Sequence, residues 1–194
     1  GHTSDSLSYA IEGNVFVALD PGQRVLQASF MSAMARSGGF STVDYGQLDG
    51  SSLLVTDMLM FVGGGSASTA GGIKVTTLAI LFLAAVAEAR GSDEMEAYER
   101  RIPQDVLRLA VSVVLWGATL VAATTITLML ITEAPLDHVL FDAISAFATC
   151  GLTTGFTASA DDPAQLVLAA TVFAGRIGTV TLAAALAQSQ RRQL

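Results

Sequence analysis

Apolar and polar residues fall in blocks along this chain, and the block lengths separate two kinds of element. From Leu109 to Ile131 runs LAVSVVLWGATLVAATTITLMLI, 23 residues without a formal charge. About 20 such residues let a helix cross a bilayer, so the block predicts a transmembrane helix over 105–132. A second block, AQLVLAATVFAGRIGTVTLAAALA at 164–187, is interrupted only by Arg176 and predicts a helix over 164–188. A third apolar stretch covers 53–87. As one straight helix its 35 residues would be about 52 Å long, well beyond a hydrocarbon core of about 30 Å. Its middle, GGGSASTAGG at 63–72, has five glycines in ten residues. The stretch therefore predicts a helix broken by non-helical backbone, which membrane depth permits only where it is buried in protein or lines water.

Two further apolar segments are too short to span: VLQASFMSAMAR at 25–36 and DHVLFDAISAFA at 137–148. Each makes a helix of about 18 Å, then a Gly-containing turn, then polar residues. Short helix, tight turn and polar return describe a re-entrant loop. The linker carries Arg90, Arg100, Arg101 and Arg108, and the tail carries Arg191 and Arg192. The positive-inside rule puts these in the cytoplasm, so both re-entrant loops open outward. The outer flanks hold Asp20, Asp44, Asp49, Glu133, Asp137, Asp161 and Asp162, which either concentrate cations at a rim or simply solvate the loops. The opening GHTSDSLSYAIEG has no basic segment leading into an apolar core, so it is not a secretory signal. Residues 7–19 read as the end of a helix in a chain entered midway.

Composition sharpens this reading. Of 194 residues, 52% are hydrophobic and 14% charged, against about 25% charged in soluble domains, and mean hydropathy is +0.56. The net charge of −7 excludes a nucleic-acid partner, which needs a basic face. One cysteine, Cys150, and two distant histidines, His2 and His138, provide neither a disulfide nor a transition-metal site. No covalently bound cofactor is expected. The fold class is thus an all-α membrane protein of repeated helix–pore-loop–helix units, with re-entrant pore helices and one broken transmembrane helix.

A repeat organises these elements. Ser37-Gly38-Gly39-Phe40-Ser41-Thr42 and Thr149-Cys150-Gly151-Leu152-Thr153-Thr154 share the pattern [ST]-x-G-[FL]-[ST]-T, 112 residues apart. Each follows a short apolar helix and precedes a longer one, as in a duplicated membrane unit. A filter presents backbone carbonyls to a dehydrated ion, and only glycine freely takes the positive φ that turns successive carbonyls one way. The preceding helix directs its negative C-terminal end to the same place, which favours a cation. One unit covers 1–90, with pore helix 25–36, filter 37–42 and broken helix 53–87. A linker covers 91–104. The second unit covers 105–190, with helix 105–132, pore helix 137–148, filter 149–154 and helix 164–188.

Four motifs carry a family resemblance. MFVGGGSASTAGGIKV (60–75), ARSGGFSTVDY (35–45), FDAISAFATCGLTTG (141–155) and GRIGTVTLAAAL (175–186) resemble, in this order, the gate segment, third filter loop, fourth filter loop and last helix of the Trk/Ktr/HKT potassium transporters. Ser37-Gly38 stands for the usual Thr-Ala, Cys150 for Val, Asp142 for Glu and Thr179 for Pro. The resemblance implies the C-terminal half, repeats three and four, of a pore-forming subunit in the bacterial plasma membrane. It implies K+ (or Na+) held at filter backbone of Ser37, Gly38, Gly39 and Phe40, and of Thr149, Cys150, Gly151 and Leu152. It implies an intramembrane gate of Gly63, Gly64, Gly65, Ser66, Ala67, Ser68, Thr69, Ala70, Gly71, Gly72 and Lys74, with Arg176 facing the pore. The implied partners are the N-terminal half of the same subunit, a second copy in a homodimer, a cytosolic nucleotide-binding regulatory subunit and membrane lipid.

Other functions fit less well. A phosphate-binding loop needs G-x-x-x-x-G-K-[ST] after a strand, whereas Lys74 lies between Ile73 and Val75 in an apolar stretch. A membrane enzyme would need a nucleophile–base pair, but no span holds a histidine and no acid recurs at helical spacing. Arg176 within a span is either pore-facing or a structural group satisfying loop carbonyls. A sodium-preferring transporter of the same fold remains the alternative to potassium uptake. In the plant branch of the family, that choice follows a residue in the first repeat, which this chain does not contain.

Overall fold

The computed structural model describes residues 20–35, 38–63, 73, 75–89, 96–97, 100–101 and 104–191. The reading of 7–19 as a helix end lies outside them. Helix α1 (Pro21–Met34) begins with proline at its first position, where the missing N–H is no loss and the fixed φ suits the helix. A 3-10 turn, Tyr45–Gln47, follows the first loop, and Asp44 caps it by accepting from the Gly46 N–H at 3.0 Å.

The long apolar stretch is divided as its length requires. Helix α2 (Gly50–Phe61) and helix α3 (Val75–Ala89) occupy its two ends. At 1.5 Å per residue they measure about 18 Å and about 22 Å, so neither spans a bilayer alone. The Ile73 N–H donates to the Phe61 carbonyl at 3.2 Å, and the Ile73 side chain is fully buried. The backbone therefore returns, after residues 64–72, to the point at which it left α2. The helix is broken, with Gly63 at φ 29° on its near side.

Helix α4 (Gln104–Ile131) contains Ala110–Ile131, 22 residues of mean hydropathy 2.0. Among the described residues this is the one stretch long and apolar enough to cross a membrane, and only 28% of its most apolar window is buried. Leu115, Trp116, Ile126 and Leu130 are exposed along it, a distribution that suits lipid on one side. Helices α5 (Leu136–Ala148) and α6 (Phe156–Ser159) are short, and α7 (Asp162–Arg191) has 30 residues. The linker carries a two-residue antiparallel pair, β1 (Glu96–Ala97) with β2 (Arg100–Arg101). In that pair Glu96 lies opposite Arg101 and Ala97 opposite Arg100. The remaining regular structure among the described residues is helical.

The centre of the molecule is α5, which packs against α2, α4 and α7. Val139 and every residue from Phe141 to Ala148 are buried. A helix enclosed on all sides must be apolar all round, and apart from Asp142 and Ser145 this stretch is. Phe147 shows how close the packing is. A Cβ at Gly117 of α4 would lie 2.7 Å from the Phe147 Cζ, and one at Gly175 of α7 would overlap the Phe147 carbonyl oxygen. Without a hydrophobic drive between helices in lipid, small residues that admit close backbone approach supply the packing. Thr124 and Thr171 add a buried hydrogen bond of 2.8 Å between α4 and α7.

Candidate functional site

The two repeated loops meet at the ends of their short helices. At the end of α5, the Cys150 N–H donates to the Ser145 carbonyl at 2.9 Å and the Thr149 N–H to the Ala146 carbonyl at 3.1 Å. Paired bonds of this kind terminate a helix around a left-handed residue, usually glycine. Here that residue is Thr149, at φ 53°, a conformation that strains a β-branched side chain. At the end of α1, the Gly38 and Gly39 N–H groups both donate to the Met34 carbonyl, at 2.9 and 3.3 Å.

Gly39 and Gly151, the glycines shared by the repeat, adopt φ 68° and 86°. They also touch. A Cβ at Gly39 would lie 2.5 Å from the Cys150 carbonyl oxygen and 3.7 Å from the Gly151 Cα. Close approach and positive φ each require glycine at position 39. The Cys150 thiol, buried, donates to the Ala35 carbonyl at 2.9 Å, tying the second loop to the end of α1. Beyond the glycines, Tyr45 stacks at a tilt on Phe141 with centroids 5.2 Å apart. A Cβ at Gly46 would lie 2.5 Å from the Thr154 carbonyl oxygen. The two return limbs thus form one packed body.

Outward-facing and anchoring positions divide cleanly. Gly38, Phe40, Gly151 and Thr153 are exposed, whereas Cys150 and Leu152 are buried. Phe40 and Leu152 occupy equivalent repeat positions but differ sharply, at 73% and 4% exposed. A cleft of about 310 Å³ adjoins the second loop, lined in part by Asp142, Thr149, Gly151 and Thr153. Ser37, residues 64–72 and Lys74 lie outside the described residues. Arg176 is exposed on α7, one residue after the glycine that abuts Phe147, and so level with the last turn of α5.

The sequence reading noted Asp142 only as a departure from the family motif and gave Asp57 no role. Asp142, only 3% exposed, accepts five hydrogen bonds. Oδ1 accepts from the Thr154 N–H at 3.0 Å and hydroxyl at 3.3 Å. Oδ2 accepts from the Thr153 hydroxyl at 2.8 Å, and from the Thr157 N–H at 3.1 Å and hydroxyl at 2.5 Å. An acid inside an apolar helix, with three threonines 11 to 15 residues later, was the available signal. Asp57 on α2 is also buried, and its Oδ1 has no protein partner among the described residues. Outside the membrane-crossing helices, burial and then the nearby Cys150 push the Tyr45 hydroxyl up to about 12. Hydrogen bonds from Ser51 and then Ser52 hold the exposed Asp49 carboxyl below its ordinary value.

Comparison with known proteins places the chain in a family. The sequence profile of TrkH, described as cation transport protein, matches residues 7–192. The chain is 36% identical over 177 residues to Ktr system potassium uptake protein B of Vibrio alginolyticus, covering 91% of this chain and 39% of that protein. It is 32% identical over 170 residues to the protein of the same name from Bacillus subtilis (strain 168), covering 87% and 38%. It is 33% identical over 164 residues to potassium/sodium uptake protein NtpJ of Enterococcus hirae, covering 82% and 36%. The chain therefore spans under two fifths of the length of these relatives. It belongs to the TrkH family of cation transport proteins, as an α-helical protein of the cell membrane.

Proposed function

We propose that this chain supplies two of the four filter loops of a potassium-uptake pore, and that Gly39 and Gly151 set the geometry of those loops. The observation that carries the reading is the meeting of two repeated glycines, both at positive φ, at the C-terminal ends of two short helices. Carbonyls of Ser37, Gly38, Gly39 and Phe40, and of Thr149, Cys150, Gly151 and Leu152, would replace the water around K+, with helix C-termini adding a favourable potential. The N-terminal half of the same subunit would provide two further loops. A homodimer bearing a cytosolic nucleotide-binding subunit is the assembly we infer. Residues 63–72 with Lys74 would form a gate below the filter, and Arg176 would face it.

A Na+-conducting reading has one specific support: a relative at 33% identity is named a potassium/sodium uptake protein. Competition between K+ and Na+ in flux measurements separates the two.

The filter reading is tested by glycine replacement in the full-length subunit, expressed in cells that lack other potassium uptake. Gly151→Val should abolish growth at low K+ while the protein reaches the membrane at normal amount. Gly39→Ala should be more damaging than Gly151→Ala. The added methyl meets the Cys150 carbonyl oxygen at position 39, whereas its nearest atom at 151 is 3.8 Å away. Normal uptake and selectivity in Gly151→Val would overturn the assignment.

A further inference from the structure

Resting on the filter reading, we propose that Asp142 is a positioning residue that sets ion selectivity by clamping the second loop's return limb. Its two carboxylate oxygens accept five hydrogen bonds, all from residues 153–157. Hydrogen bonds to an ionised acceptor are the strong kind, and two of these come from backbone N–H groups, so the chain path itself is held.

The loop is consequently fixed at both ends. On one side the bonds from Thr149 and Cys150 close α5; on the other, Asp142 holds Thr153, Thr154 and Thr157. Only Gly151 and Leu152 hang between these anchors, and the Leu152 side chain is itself buried. The carbonyls from 149 to 152 therefore have little freedom to move toward or away from an ion. Asp142 can serve as a fixed post because α5 is enclosed by α2, α4 and α7.

Among the described residues, the first loop has no such clamp. Offset by the repeat of 112 residues, the position equivalent to Asp142 is Phe30. The limb after Gly39 is instead held by short-range bonds, Ser41 with Val43 and Asp44 with Gly46 and Gln47. It also leans on the second loop, through Gly39 against Cys150 and Gly46 against Thr154. The Asp142 clamp thus orders the second loop directly and the first by contact, so one carboxylate fixes the mutual spacing of two filter loops.

The experiment measures K+ and Na+ competition for Rb+ uptake by the full-length subunit in proteoliposomes. Asp142→Asn keeps the shape but replaces one acceptor oxygen with an amide donor. Its preference for K+ over Na+ should fall about tenfold, at normal protein amount and with maximal rate changed far less. Asp142→Glu, which keeps both acceptors, should restore most of the preference. A purely structural role would lower protein amount or thermal stability without moving the preference. If Asp142→Asn cannot be recovered folded, Thr153→Val removes one hydroxyl donor from an exposed position, and a smaller loss in the same direction is expected. Unchanged K+ preference in Asp142→Asn, or in Thr153→Val where that variant stands in, overturns the clamp. Gly151→Val, measured in parallel, separates the failures. If it abolishes K+ preference while Asp142→Asn does not, the clamp alone is wrong; if it conducts normally, the filter reading falls with it.

Discussion

Tyr45 illustrates what single side chains do here. Its ring is 1% exposed and packs on Phe141, yet its hydroxyl has no protein partner among the described residues. A buried donor left unsatisfied costs about 1–3 kcal/mol, so Tyr45→Phe should leave the detergent-solubilised protein as stable or more so by thermal melting. Its ionisation gives a second signature. The folded protein keeps Tyr45 protonated to about 12 against an ordinary value of 10.0. The raised value contributes stability that is complete below pH 10.0 and is lost as pH rises toward 12. The melting temperature should therefore fall over that range, and Tyr45→Phe should reduce the slope; an unaltered slope would show that Tyr45 does not titrate differently on unfolding. Gly39 is the opposite case, where the absence of a side chain is the requirement. Motif reading found it because the repeat exposed it, whereas the Asp142 bonds join residues 11 to 15 apart around a turn whose path no local pattern specifies.

Pairs of helices carry the next set of constraints. Helices α4 and α7 meet through Thr124 and Thr171 and close on α5 through Gly117 and Gly175. Hydrogen bonds between membrane helices are worth about 0.6 kcal/mol on average and at most about 1.7. Thr124→Val should therefore lower stability by about that much, read from the unfolding midpoint in mixed micelles, with no change in transport. A loss several times larger would mean that the pair contributes more than this one interhelical bond, since the Thr171 hydroxyl also donates to the Val167 carbonyl at 2.9 Å. Hydropathy set these helices at 105–132 and 137–148; α4 is Gln104–Ile131 and α5 is Leu136–Ala148. The break between α2 and α3 was legible too, because 35 apolar residues exceed the membrane and glycines mark the weak point. The β1–β2 pair was not, since two residues per strand leave no periodicity to detect.

At the scale of the whole molecule, the proposed arrangement makes claims about sidedness and about gating. Cysteines placed singly at Ser92 and Ser159, with Cys150 replaced, should label from opposite faces of the membrane with an impermeant thiol reagent. Labelling from one face would overturn the topology. The Ile73 N–H donates to the Phe61 carbonyl, and the gate proposed for the residues between them is tested by shortening it. Removing 66–69 from the full-length subunit should raise K+ flux if the loop obstructs the pathway. Arg176→Ala should do the same, because a fixed positive charge below a filter opposes cation passage. If both variants are well expressed and conduct at the unmodified rate, the barrier lies elsewhere.

The sequence by itself determined the helical membrane class, the break at the glycines and the two repeated loops. Each of these depends on local quantities: how many apolar residues occur in a row, where glycine interrupts them, and how a pattern recurs. Family membership followed from the same ordered motifs. Only the tertiary structure decided that the two glycines lie against each other, that α5 is the enclosed centre, and that Asp142 rather than a backbone group holds the second return limb. Those facts depend on which distant residues the packing brings within a few ångströms. A buried carboxylate must find its donors wherever the fold places them, and hydropathy along the chain says nothing about where that is.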